Sequence, residues 1–164
     1  VEGAEDERGG GALAIDERGV TGADIVCGIS ASGRTPFVLG ALAEARKRGA
    51  QTVLITCNPA RDRTEGCDLE IDLPTGPEIL TGSTRLKAGT ATKVALNIIS
   101  TGAMVALGKV RGNLMVDLAM SNDKLRDRAA RLVAELTKCD YRAACERLRD
   151  NGWNLRAALN QAQL

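Results

Sequence analysis

The sequence predicts an α/β fold, a sandwich of helices on a parallel sheet, followed by a small helical tail. Three observations predict it. Asp24 to Ile29 (DIVCGI) and Thr52 to Cys57 (TVLITC) are short apolar runs rich in β-branched residues, the pattern of buried strands. Between them, Pro36 to Arg48 (PFVLGALAEARKR) spaces its apolar residues helically. A strand, a crossover helix and a strand imply parallel pairing.

The elements follow in chain order. Residues 1–19 carry Glu2, Glu5, Asp6 and Glu7 early and Leu13 and Ile15 late. They read as a helix, although Gly9, Gly10 and Gly11 weaken it by up to about 1 kcal/mol each. The helix at Pro36 has proline in its first turn and basic residues in its last, and Gly49 stops it. Asn58-Pro59 ends the second strand. Leu69 to Leu73 alternates and reads as a third strand, closed by Pro74. Thr81 to Gly108 reads as one long helix whose many small residues predict burial against another helix or a second subunit. Residues 112–120 fit either an extended or a helical segment. Ser121-Asn122-Asp123 caps a helix over Lys124 to Leu136. Two short helices follow, Tyr141 to Arg149 and Trp153 to Gln161, around an Asn151-Gly152 turn. These features divide the chain into residues 1–120 and a helical segment, 121–164.

Composition narrows the function. Lysine and arginine number 22 against 21 acids, a net charge of +1, so the chain has no basic footprint for nucleic acid or an anionic membrane. Histidine is absent, which excludes Ser-His-Asp triads, Cys-His pairs and histidine-ligated metals. A general base must be Asp, Glu, Lys, Cys or the single tyrosine. Three aromatics are too few for a base-stacking platform. The five cysteines form no Cys-x-x-Cys pair, and Cys27 and Cys57, set in apolar runs, read as small hydrophobes. That usage points to a reducing, cytoplasmic compartment. The longest nearly apolar stretch, Val94 to Leu107, is shorter than the ~20 residues of a membrane span.

Three clusters carry candidate chemistry. Ser30-Ala31-Ser32-Gly33-Arg34-Thr35 joins a strand to a helix, where open α/β sheets bind ligands. Its hydroxyls (Ser30, Ser32, Thr35), the permissive Gly33, the charge of Arg34 and the following helix N-terminus suit a phosphate. The alternative is a polar loop that merely caps the helix. Gly76 to Thr90 packs four hydroxyls, two cations and Glu78 around a helix start. It reads equally as a capping cluster or a sugar site, with Glu78 placed to reach a sugar hydroxyl. The acidic opening offers a carboxylate base or, alternatively, only a helix start stabilised by its dipole. Lys87 and Lys93 read as surface or anion-pairing lysines, since nothing marks the desolvated pocket of a Schiff-base lysine.

At these residues the chain resembles the sugar isomerase (SIS) domain family and, within it, the etherases that act on N-acetylmuramic acid 6-phosphate. Ser30 to Thr35 is similar to the family's phosphate loop. Gly76 to Thr90 is similar to a signature shared with the glucokinase regulatory protein, Gly112 to Asp117 to a further etherase stretch, and Val1 to Asp6 to a segment bearing one of two catalytic glutamates. The resemblance spans Val1 to Arg131 and implies a flavodoxin-like SIS sandwich. It implies lyase chemistry without metal or organic cofactor, a sugar-phosphate substrate and a homodimer. Glu5 would be the catalytic acid/base. Ser30, Ser32, Gly33, Arg34 and Thr35 would hold the phosphate, and Glu78, Ser83 and Lys87 would line the sugar. Family members begin well upstream, with another strand, a Ser/Gly-rich loop and the second glutamate. The resemblance therefore implies a sheet incomplete at its N-terminus, and negligible lactate release by this chain alone. The competing expectation is a non-enzymatic regulator that binds a hexose phosphate, as the glucokinase regulatory protein does.

Overall fold

A computed structural model describes residues 2–64, 66–117 and 119–161. Val1 of the glutamate-bearing segment and Leu118 of the 112–120 segment lie outside them. Contacts divide the chain into two units, residues 1–98 and 99–164. α3 (Lys87–Ala106) contains the division.

The first unit opens with a 3₁₀ turn, Glu2–Asp6, followed by α1, Arg8–Glu17. Then come β1 (Ile25–Ile29), α2 (Pro36–Lys47), β2 (Gln51–Thr56) and β3 (Leu69–Asp72). The strands form a parallel sheet in the order β1-β2-β3, with Ile25 beside Gln51, Ile29 beside Ile55, and Val53 beside Leu69. The expected α/β class and its three strands are therefore present.

α1 and α2 cross at backbone contact. A Cβ added to Gly11 would collide with the Phe37 carbonyl oxygen and lie 2.9 Å from the Ala41 nitrogen. One added to Gly40 would collide in turn with the carbonyl of Arg8. Two of the glycines in this pair of helices are thus what lets them touch. α2 covers one sheet face, where Gly28 and Leu54 pair beneath Val38 and Leu42. Ile15, Ala45 and Ala50 complete the packing beneath α1.

Two expectations need correction. DIVCGI forms a strand, but not a buried one: Ile25, Cys27 and Ile29 alternate onto the face away from α2 and are exposed. β1 is also an edge strand among the described residues, so Cys27 is no buried hydrophobe. The long helix begins at Lys87 rather than Thr81, because residues 81–86 turn, with Gly82 at φ +87°, and Glu78 caps the helix start. Within this chain α3 buries Ala88 and Ala95 and leaves Val94, Ile98, Ile99, Met104 and Val105 exposed. No helix among the described residues is long and apolar enough to cross a membrane.

The second unit begins its own structure with a hairpin, β4 (Val110–Arg111) against β5 (Leu114–Met115). Gly112, at φ +61°, supplies the positive φ that a two-residue loop requires. Of the stretch 112–120, left open between extended and helical, Gly112-Asn113 form the turn and Leu114-Met115 a strand. Three helices follow: α4 (Asp123–Thr137), α5 (Tyr141–Asp150) and α6 (Leu155–Asn160). Each is capped by its own sequence: Asn122 accepts from the Leu125 N–H, Asp140 from Ala143 and Asn154 from Ala157. Val133, Ala144, Leu148, Leu155 and Ala158 form their core.

Candidate functional site

The Ser30–Thr35 loop leaves the C-terminal end of β1, and the end of β2 holds it from behind. The Ser30 N–H donates to the Ile55 carbonyl (3.0 Å) and the Cys57 N–H to the Ala31 carbonyl (3.0 Å). Thr56 Oγ1 also donates to that carbonyl (3.2 Å), and Asn58 Nδ2 donates to the Ser32 carbonyl (3.4 Å). The loop is therefore a continuation of the sheet rather than a free surface segment.

Its hydroxyls converge. Ser30 Oγ, buried at 5% exposure, lies 2.8 Å from Thr35 Oγ1 and 3.3 Å from Ser32 Oγ, and accepts from the Gly33 N–H (3.0 Å). Thr35 makes no side-chain cap to α2, and Pro36 occupies its first turn. The remaining first-turn N–H groups and the positive end of the helix dipole are left for an anion.

Ser30, Ser32 and Thr35 share a cavity of about 490 Å³ with Glu5, Ala4, Ile29, Ala31, Phe37, Val38 and Thr84. Glu5 arrives there from the 3₁₀ turn, and Phe37 packs beside Gly10 on α1. The α1–α2 crossing thus carries the carboxylate toward the hydroxyl loop. Glu5 is the one ionisable side chain among the described residues of the lining.

The other candidate residues lie elsewhere. Gly33 and Arg34 line a second cavity of about 450 Å³, with Arg8, Arg46 and Arg63. Ser83 is half-buried in the turn before α3, its N–H donating to the Leu80 carbonyl (3.0 Å). Lys87 opens α3 and is exposed. Glu78 accepts from the backbone N–H groups of Lys87 (2.9 Å) and Ala88 (3.0 Å). Thr84, Phe37 and Val38 line the first cavity without having been singled out in the sequence. Thr84 sits beside Ser83 in the hydroxyl-rich stretch Gly76 to Thr90, and that proximity is its only sequence signal. Among the described residues no group of three or more His, Cys, Asp or Glu is placed to hold a metal ion.

The N–H groups of Ala88 and Lys87 hold the Glu78 carboxyl below its ordinary value of 4.5. A lowered folded-state pKa contributes stability that is fully present above pH 4.5 and is lost as pH falls through the folded value. The start of α3 is thus expected to loosen in acid, measured as falling helix content by circular dichroism. Glu78→Gln should remove that acid-dependent step, and an unchanged acid profile would contradict the cap.

Residues 18–100 match the family model described as SIS domain. Among curated relatives, the chain is 54% identical over 159 residues to the N-acetylmuramic acid 6-phosphate etherase of Gloeobacter violaceus, covering 97% of this chain and 52% of that protein. Against the protein of that name from Thermosynechococcus vestitus it is 52% identical over 158 residues, covering 96% and 51%. Against that from Synechocystis sp. it is 53% identical over 158 residues, covering 96% and 52%. The chain spans about half the length of the curated relatives it matches.

Proposed function

Because the chain belongs to the SIS domain family, we propose that its hydroxyl loop binds the phosphate of an amino-sugar phosphate and that Glu5 works on the bound sugar. The reaction proposed is that named by its relatives, cleavage of the lactyl ether of N-acetylmuramic acid 6-phosphate. Opening of the sugar ring exposes an aldehyde at C1, which acidifies the C2 proton. Glu5 takes that proton, the C3–O bond breaks, and the lactate oxygen leaves with a proton from an acid. Water then adds across the unsaturated aldehyde, placing hydroxyl on C3 and a proton on C2. The products are N-acetylglucosamine 6-phosphate and D-lactate.

One observation carries this reading: a carboxylate and three converging hydroxyls line one cavity at the C-terminal end of a parallel sheet. A purely regulatory hexose-phosphate binder would have no use for Glu5 there. As part of the proposal, the protein works in the cytoplasm as a homodimer, and the exposed apolar residues of α3 meet the partner.

Calorimetry tests the loop. N-acetylglucosamine 6-phosphate is expected to bind, and unphosphorylated N-acetylglucosamine to bind at least about tenfold more weakly. Ser32→Ala should weaken the phosphorylated sugar alone. Equal affinity for both sugars, or an unaffected Ser32→Ala chain, would remove the loop from the site.

A further inference from the structure

We infer that Arg61 is a positioning residue for the phosphate loop, its stem wedged behind Gly33 so that the loop is set before any ligand arrives. This inference rests on the reading of Ser30–Thr35 as the phosphate site.

Arg61 lies in the polar segment after β2, where sequence alone suggests a solvated side chain. Its side chain is instead 3% exposed, and that of its partner Glu70 on β3 is 4% exposed. The pair is bidentate, with Nη1 to Oε1 at 3.2 Å and Nη2 to Oε2 at 3.1 Å. Nη1 also donates to the Asp62 carbonyl (2.8 Å) and to Thr64 Oγ1 (3.3 Å), and Nη2 lies 3.7 Å from Asp72. Burial pushes the Glu70 carboxyl up, but hydrogen bonds from Arg61 and Thr64 outweigh it and hold the group below its ordinary value. The guanidinium is thus clamped as an ion on β3.

The clamp fixes the other end of the side chain. Arg61 Cδ and Nε occupy the space a Gly33 Cβ would need, with Nε 2.5 Å from that point and Thr56 Oγ1 2.9 Å from it. Gly33 itself has φ +71°, and its N–H binds Ser30 Oγ. Nε is buried with no hydrogen-bond partner among the described residues. It packs instead against the loop at Gly33. A left-handed glycine backed by a clamped stem holds Ser30, Ser32 and Thr35 together, and binding then need not order the loop.

Two double variants isolate the stem without stranding a buried charge. Arg61→Met/Glu70→Gln keeps the stem and Arg61→Ala/Glu70→Gln removes it. Hydrogen exchange at the Gly33 amide reads the loop, exchange at the Leu54 amide reads the core, and calorimetry with N-acetylglucosamine 6-phosphate reads binding. The Ala/Gln chain should exchange Gly33 about tenfold faster than the Met/Gln chain and bind about tenfold more weakly, with Leu54 alike in both. Equal Gly33 exchange in the two, or Leu54 accelerated as much as Gly33, would overturn the inference. A parent chain that fails to bind the sugar phosphate would overturn the functional reading, and the Gly33 comparison would still decide the role of Arg61. Gly33→Ala adds a second check: its penalty should shrink in the Ala/Gln background, where the stem is gone, and an unchanged penalty would count against the wedge.

Discussion

Glu5→Gln should slow exchange of the C2 proton of N-acetylglucosamine 6-phosphate with solvent deuterium by about 10²–10⁴-fold, the range for a lost general base. Glutamine keeps the size and loses the proton acceptor, so sugar affinity should change little. Exchange needs only a base at C2. Lactate release from N-acetylmuramic acid 6-phosphate also needs an acid at the departing oxygen, and the described lining offers no second ionisable side chain. Exchange by the parent chain should therefore outrun lactate release, as followed by NMR in deuterium oxide. Two results would contradict the assignment: exchange that survives in Glu5→Gln, or lactate release as fast as exchange in the parent.

The largest effect on stability is expected where α1 meets α2. Gly11→Ala gains up to about 1 kcal/mol in helix propensity, but its methyl must enter the space of the Phe37 carbonyl oxygen. Backbone cannot swing aside as a flexible side chain can, so the clash wins. A net loss of about 3 kcal/mol is expected, at the upper end of overpacking penalties. Gly9 provides the contrast, since nothing lies within 4 Å of its added Cβ. Gly9→Ala should stabilise by about 0.5–1 kcal/mol. Urea denaturation of the three chains measures both, and a Gly11→Ala chain as stable as the parent would refute the close crossing.

That pair of glycines also shows what a sequence conceals. In the chain as written, the glycines at 9–11 merely weaken a helix, and only the crossing helix distinguishes Gly11 from Gly9. The three parallel strands and α2 were legible because their signals are local: β-branched or alternating runs, a proline in the first turn, a glycine after the last. The start of α3 was not, since its cap is Glu78, nine residues before the N–H group of Lys87 that it satisfies. The hydroxyl loop could be read from residue types between a strand and a helix. Glu5 could be singled out from its acidic neighbours only through family resemblance, and the structure sets it in the same cavity as the loop. Arg61 left no trace, because an arginine among Asp62, Arg63 and Thr64 looks solvated until β3 brings Glu70 beside it.

The exposed outer face of β1 has a consequence in time as well as in space. During synthesis β1 leaves the ribosome before β2, the strand it pairs with here, which is complete only some 27 residues later (Ile29 to Thr56). At 5–20 residues per second β1 waits roughly one to five seconds for β2. Throughout that interval the edge of β1 that β2 will occupy is an open template, the kind of segment that aggregates or recruits chaperones. The three C-terminal helices, each capped by a residue three positions from the N–H it binds, depend on no such distant partner. They are the part of the chain that ribosomal timing exposes least.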